Sequence, residues 1–414
     1  MKTISAKIFI FITVLVDVIG IGIIIPVMPT LIKDLTGRDL SEASAYGGGL
    51  LIAFASMQFL FAPVLGELSD KFGRRPVLLL SLFGLSIDYL IHAFAPTILW
   101  LFIGRFLAGI GGASFTVANA YMADISSPSE KAKNFGLLGA AFGFGFIIGP
   151  SIGGIFGAID VRLPFFIAAG LTFLNFLFGY FLVPESLAPE KRREIDVRKM
   201  IPGVSLAKVG KYAGLGSLIF AFFLANIAGQ TLPAIWSFFT MEVYAWNEAE
   251  VGYSLTFIGI LVAIVQGGLI GIFVKKFGEH KTVIFGFSLW TIGMFLFALA
   301  SESWMMYLFL IPYALGGVAG PTLQGILSNQ VPENEQGNLQ GALTSMLSLT
   351  TIIGPAIATG LFYAFTGNHA ITYFPGAPYI AGGLLLLSAT VMVILSLRKR
   401  KDGVRLFLWY GSKE

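Results

Sequence analysis

The sequence predicts an all-α integral membrane protein, with twelve transmembrane helices in two pseudo-symmetric six-helix bundles. Three observations predict it: the composition, a series of long apolar segments, and an internal repeat at one fixed offset. Of 414 residues, 56% are hydrophobic and only 12% charged, and the mean hydropathy is +0.82. Soluble domains carry roughly a quarter charged residues, so this chain cannot face water on all sides. Apolar runs of about 20 residues recur along its length, the number needed to cross a bilayer core of roughly 30 Å.

Spans are predicted near 8–32, 46–68, 76–95, 98–121, 132–157, 163–183, 213–239, 250–273, 282–300, 304–326, 337–364 and 377–397. The first carries Asp17 in its middle and lacks an A-x-A-like cleavage site. It is therefore read as a retained helix rather than a signal segment. Orientation follows from Lys and Arg in alternate connections. With the N-terminus inside, the cytoplasmic segments hold 23 of the 27; the outer connections hold Lys33, Arg38 and Arg162, and Arg105 is left within the membrane. The expected location is the bacterial inner membrane, multi-pass, with both termini cytoplasmic. The pI of about 9.1 reflects a basic face turned to cytosol and lipid headgroups, which removes a nucleic-acid reading.

Other classes are excluded by what the chain lacks. There are no cysteines, so disulfides and thiolate metal sites are impossible. His92, His280 and His369 are too scattered for a histidine metal cluster. No G-x-x-x-x-G-K-[ST] is present, so ATP hydrolysis is not expected, and no nucleophile–base constellation suggests an enzyme. The expected partners are a small molecule, protons and lipids, for a monomer with no cofactor.

The halves repeat. Gly47, Phe72-Gly73, Gly111-Gly112, Gly136 and Gly149-Pro150 recur as Gly252, Phe277-Gly278, Gly316-Gly317, Gly341 and Gly354-Pro355, always 205 residues on. One match in a chain with 50 glycines means little; a single ungapped offset across helices two to five indicates a parallel duplication. Parallel halves related by an axis along the membrane normal are a transporter architecture, with the cleft between halves as substrate path. The expected division is a bundle over 1–183, a cytoplasmic linker over 184–212, a bundle over 213–400 and a tail over 401–414. The tail, with its Leu-Phe-Leu-Trp-Tyr end, is read as an interfacial segment.

Chemistry concentrates in three places. Gly66-Glu-Leu-Ser-Asp70-Lys-Phe-Gly73-Arg74-Arg75-Pro76 lies in the cytoplasmic turn between helices two and three. Gly73 permits the turn, and Asp70 is placed where a carboxylate meets the positive end of a helix. The plain alternative is a basic, topology-setting turn. This string resembles the helix 2–3 signature of the major facilitator superfamily. The resemblance implies a conformational latch of Gly66, Asp70, Gly73, Arg74 and Asp124, with the Asp capping helix eleven and the Arg in a cytoplasmic charge network. In the second copy Lys275 stands where Asp70 does, so the latch is asymmetric. Helix five carries Gly145, Gly149, Pro150 and Gly153, small residues that let helices approach and a proline that kinks. It reads as plain packing, or as the motif of the superfamily's proton-coupled drug exporters, which it resembles.

Third are the intramembrane charges, costly in lipid unless functional or paired. Asp17 lies in helix one, Asp88 in helix three and Arg105 in helix four; His92 is one turn beyond Asp88 on the same face. The expectation is that Asp17 is the main protonation site with Arg105 as its partner, and Asp88 assists or, nearer the outer surface, touches water. The bland alternative is a permanent structural ion pair. Between 213 and 397 no predicted helix interior contains Asp, Glu, Lys, Arg or His. The candidate substrate contacts are neutral: Gln58, Asn226, Gln230, Trp236, Gln266, Trp290 and Gln324, each alternatively a helix-packing residue.

Within the superfamily the chain resembles the tetracycline/proton antiporters from helix one to helix eleven. Asp17-Val-Ile-Gly-Ile-Gly, Ser86-Ile-Asp88-Tyr-Leu, Gly104-Arg105, Trp246-Asn and Gln324-Gly all carry the similarity. It implies functional positions at Asp17, Asp70, Arg74, Asp88, Arg105 and Gln266. Val262 and Trp290 stand where that group commonly has a His and an Asp, and neither can handle a proton or a cation. The function so implied is proton-coupled export of tetracycline-like or other amphipathic compounds by alternating access. The alternative is export or flipping of an endogenous metabolite or lipid. A non-transporting receptor with this fold predicts no need for Asp17 or Arg105.

Overall fold

The computed structural model describes residues 2–112, 114–127, 130–200, 215–332, 335–368, 370 and 372–401. The predicted tail beyond 401, the linker beyond 200 and His369 lie outside them. Among the described residues, twelve helical segments are long and apolar enough to cross a membrane. They are α1 Ala6–Thr36, α2 Leu40–Phe72, α3 Arg74–Phe94, α4 Ile98–Asp124, α5 Lys133–Gly157, α6 Leu163–Leu182, α7 Gly216–Tyr244, α8 Glu248–Phe277, α9 Glu279–Leu299, α10 Ser303–Ser328, α11 Asn338–Phe365 and α12 Ala377–Leu397. Several run beyond the predicted ends, because hydropathy marks only the apolar part of a helix that continues into the interface. α7 thereby takes in Glu242 near its C-terminal end, and α8 takes in Glu248 at its N-terminal end.

Local chemistry sets the boundaries. Gly37, at φ +67°, ends α1, and the Asp39 side chain accepts from the Glu42 N–H at 2.8 Å to start α2. The repeat is visible in backbone geometry. Gly73 (φ +104°) and Gly278 (φ +79°) make the same turn after α2 and α8, in a region glycine enters without strain. Their N–H groups close on Ser69 O at 3.1 Å and Val274 O at 2.9 Å. Both fourth helices break at their Gly-Gly pair: α4 turns at Gly112, and α10 tightens to a 3₁₀ turn over Gly316–Val318. α7 turns at Gln230, and α8 widens to a π turn over Val265–Leu269.

The chain divides by contact into two compact units. The first comprises Met1–Pro202, Leu232–Ile260 and Thr351–Pro375; the second comprises Gly203–Thr231, Leu261–Thr350 and Gly376–Glu414. This cuts across the halves of the repeat, since the C-terminal parts of α7 and α11 and the N-terminal part of α8 pack within the first unit. They do so through small groups. A Cβ on Gly154 would lie 2.8 Å from Gly252 Cα. Ser151 and Thr256 hydroxyls meet at 2.7 Å, Ser237 Oγ donates to Ile25 O at 2.8 Å, and Thr366 Oγ1 donates to Ser41 Oγ at 2.8 Å. Thr30 donates to the Glu248 carboxylate.

The core of the first unit is apolar: Phe9, Ile10 and Val14 of α1 pack with Leu78 and Leu82 of α3 and with Val117 and Tyr121 of α4. α1 and α5 run in close contact along a glycine ladder. Gly145 lies against Val18, Gly149 against Ile19 and Gly22, Gly153 against Ile23 and Gly157 against Val27. A Cβ at Gly149 would stand 2.7 Å from Ile19 O and 3.0 Å from Gly22 Cα. Gly149→Leu is therefore expected to cost about 1–3 kcal/mol through overpacking. Gly143→Leu, where a Cβ meets nothing within 4 Å, should cost little. Thermal unfolding of both variants in one detergent checks this; equal midpoints would disprove close packing of the ladder.

Candidate functional site

A mostly apolar cavity of about 190 Å³ lies inside the first unit. Asp17 of α1, Gln58 of α2, Asp88 and Tyr89 of α3, and Arg105 and Ser114 of α4 border it, with Phe54, Phe115 and Phe142 completing the wall. Arg105 also borders a second, smaller cavity of about 60 Å³ with Met28, Leu50 and Phe238.

Asp17 sits between the buried Val16 and Val18. Ser114 Oγ donates to its Oδ2 at 2.6 Å, and its Oδ1 is buried without a hydrogen-bond partner. The break in α4 after Gly112 brings Ser114 to this position. Asp17 thus has a hydroxyl neighbour but no cation within hydrogen-bond distance among the described residues. An unmatched buried acceptor of this kind is costly in a low-dielectric site unless it serves a purpose.

The structure corrects the expected pairing of Arg105. Its guanidinium is held by α3: NH2 donates to Asp88 Oδ2 at 2.9 Å, and Nε donates to His92 Nε2 at 3.1 Å. It also lies 5.7 Å from the centre of the Phe54 ring. The physical reason is Gly104, where a Cβ would fall 2.6 Å from Asp88 Oδ1, so only glycine lets α4 approach α3 this closely. Asp88 is accordingly 0% exposed and does not touch water at the outer surface, as one reading had it. His92 is equally buried, with its ring stacked on Phe165 at 5.5 Å.

At the turn between α2 and α3, Arg74 bridges Asp70 and Asp124, the latter at 3.2 Å, and donates to Ser69 Oγ at 2.6 Å. The other Asp70 oxygen takes the Arg193 guanidinium, so arginines of the turn and of the linker occupy its carboxylate. The acid that caps a helix here is Glu185. It accepts from the Arg74 and Arg75 N–H groups at 2.8 and 3.2 Å, at the positive end of α3. Glu67 accepts from the Asp196 N–H at 3.1 Å. Gly66 has open space beside it, whereas a Cβ at Gly73 would fall 2.7 Å from the Glu185 carboxyl carbon. Nearby, Lys7 lies 3.4 Å from Glu130 and holds that carboxyl below its usual range.

Most neutral candidates have partners within the protein. Trp236, expected on an aromatic wall, is fully buried with Nε1 donating to Ser254 at 2.8 Å, because the turn at Gln230 aims this part of α7 into the core. Asn226 donates to Phe222 O of its own helix at 2.7 Å, and Gln324 donates to Gln340 at 2.7 Å. Trp290 packs on Gly229, Gly316 and Tyr313 within the second unit. Gln230 is half-buried, and Gln266 is exposed on the π turn. Gln58 borders the Asp17 cavity and donates to Gly112 O at 3.1 Å. Sequence reasoning left out Ser114, Glu185 and Arg193. A charged linker reads as solvated, and a lone serine carries no signal until the helix break places it.

The profile of the Major Facilitator Superfamily matches residues 10–272 and 218–406. The class C tetracycline resistance protein of Escherichia coli is 42% identical, over 94% of this chain and 96% of that protein. The class B protein of Escherichia coli is 39% identical over the same shares. Among solved structures, a bacterial homologue of the human lysosomal transporter Spinster, inward-facing and unoccupied, superposes with a TM-score of 0.77. It covers 97% of this chain and 98% of that one at 17% identity, a likeness of fold. Twelve membrane-length helices, a duplicated glycine framework and identity above 40% to a full-length relative carry one conclusion: the chain belongs to the major facilitator superfamily and, within it, to the family of the tetracycline resistance proteins.

Proposed function

We propose that this protein exports tetracycline-like amphipathic antibiotics across the bacterial inner membrane in exchange for protons. It works by alternating access, with both termini in the cytoplasm. The observation that carries this reading is Asp17, a carboxylate on an apolar cavity wall, with one serine hydroxyl and, among the described residues, no cation within hydrogen-bond distance. Such a group can take up and release a proton as the cavity changes face. The nearby Asp88–Arg105 pair is already balanced and shapes the field around it. Gln58 and the phenylalanines of the same cavity are the first-half contacts for the drug, and Asn226, Gln230, Gln266, Trp290 and Gln324 are neutral candidates from the second. The moving bodies are the six-helix halves, 1–183 and 213–400, joined by the 184–212 linker. Gly66, Asp70, Gly73, Arg74 and Asp124 act as the cytoplasmic latch, with Glu185 and Arg193 as its linker side.

The test is growth of a pump-deficient bacterium expressing the protein, against tetracyclines and a panel of other amphipathic antibiotics. Resistance to tetracyclines that a protonophore removes is the expected result. No resistance to any compound, with the protein present in the inner membrane, would overturn the reading in favour of an endogenous metabolite or lipid.

A further inference from the structure

The buried His92 has contacts that fix its protonation. A guanidinium only donates hydrogen bonds, so the Arg105 Nε–H at 3.1 Å from His92 Nε2 requires a lone pair on that nitrogen. The neutral ring then carries its proton on Nδ1. That nitrogen lies 2.9 Å from the Asp88 main-chain O, which accepts the N–H, and 3.0 Å from Asp88 Oδ1. Oδ1 has no donor of its own. The ring is fully buried. It is stacked on Phe165 at an interplanar angle of 17°, and a Cβ at Gly104 on its other side would fall 2.6 Å from Nδ1.

We infer that His92 is a proton-accepting positioning residue, whose protonation at Nε2 releases Arg105 from Asp88 toward the Asp17 cavity. This rests on the proton-coupled reading above. A solvent proton that binds Nε2 turns an acceptor into a donor facing the Arg105 Nε–H, and the hydrogen bond between them is lost. The new imidazolium stands 3.0 Å from Asp88 Oδ1 and supplies the positive charge that Arg105 supplied through Oδ2. Two cations now share one carboxylate. The histidine is walled in, whereas Arg105 borders a cavity on each side. The arginine is therefore the group that moves, and Asp17, with an unpartnered oxygen on the same cavity, is the carboxylate it meets. When His92 gives up the proton, Nε2 recaptures the guanidinium.

The charged and titratable groups facing this point are few. α3 contributes Asp88 and Tyr89, α4 contributes Arg105, and α1 contributes Asp17. α2 presents the neutral Phe54 and Gln58, and α6 presents Phe165. Arg162, before α6, is held by the Ala93 and Ala95 carbonyls at 2.8 and 2.9 Å.

The first test is ¹⁵N NMR of the full-length protein labelled at its three histidines, with His92→Gln identifying the His92 signals. A hydrogen on Nδ1 and none on Nε2 is expected in the neutral form, with the Arg105 Nε signal shifting together with Nε2 when Nε2 takes up a proton on acidification. A neutral form protonated on Nε2, or an Arg105 Nε signal that stays unchanged when Nε2 takes up a proton, overturns the inference. The second test is tetracycline efflux from proteoliposomes under an imposed proton gradient. His92→Gln keeps an acceptor for Arg105 but no titration. It is expected to run about tenfold slower and to lose the pH dependence of the wild type. Parallel pH profiles overturn the inference. Absence of efflux from the wild type instead overturns the exchange reading, and the NMR titration then decides His92 alone.

Discussion

Asp17→Asn is expected to abolish drug-for-proton exchange in a protein that remains folded. Asparagine matches aspartate in size, and its carbonyl can accept the Ser114 hydroxyl that now lies 2.6 Å from Oδ2. What the substitution removes is the ability to bind and release a proton. Positioned proton transfer contributes typically 10²–10⁴-fold in rate, so exchange is expected to fall by at least ~100-fold. Resistance should fall to that of cells without the protein. Proteoliposome exchange and thermal unfolding, run together, separate chemistry from folding. Wild-type exchange rates from Asp17→Asn would remove this residue from proton coupling. Loss of exchange together with a collapsed melting transition would make its role structural.

The second large effect is on stability. Asp88→Ala leaves Arg105 and His92 facing an empty site, one of them charged and only 11% exposed. Removal of one partner of a buried pair costs about 3–5 kcal/mol, because the other charge stays behind without compensation. The expected outcome is a steep fall in melting temperature and in the amount of protein in the membrane. The double variant Asp88→Leu with Arg105→Leu carries no stranded charge and should be more stable than Asp88→Leu alone, a coupling that a double-mutant cycle through the two single Leu variants measures. A cost for Asp88→Ala below about 1 kcal/mol, the level of an exposed ion pair, would show that the pair is solvated.

What was legible in the sequence follows from what the solvent dictates. A bilayer accepts a backbone only with its polar groups satisfied internally, so twelve apolar runs specify twelve helices. The 205-residue offset specifies the duplicated turns at Gly73 and Gly278. The partner of Arg105 was not legible. Asp17 and Asp88 are both acids in neighbouring helices, and the choice between them depends on how α4 is rotated and how closely it approaches α3. The one local clue is Gly104, which makes room for Asp88 and His92. Trp236 likewise resembles a binding-site aromatic by composition, and only the turn at Gln230 sends it into the core. The linker's Glu185 and Arg193 look solvated because no periodicity marks a loop that lies down on a helix end.

The glycine ladder between α1 and α5 has a consequence for the gene. No amino acid is smaller than glycine, so every missense change in the codons for Gly145, Gly149, Gly153 and Gly157 enlarges a side chain against α1. These four codons have no neutral direction in which to drift. Leu80, Phe94 and Phe181, 68, 69 and 73% exposed on apolar outer faces, can be exchanged among bulky apolar residues freely. The heritable record of this protein is therefore written unevenly, fixed along one helix seam and fluid on the faces turned to lipid.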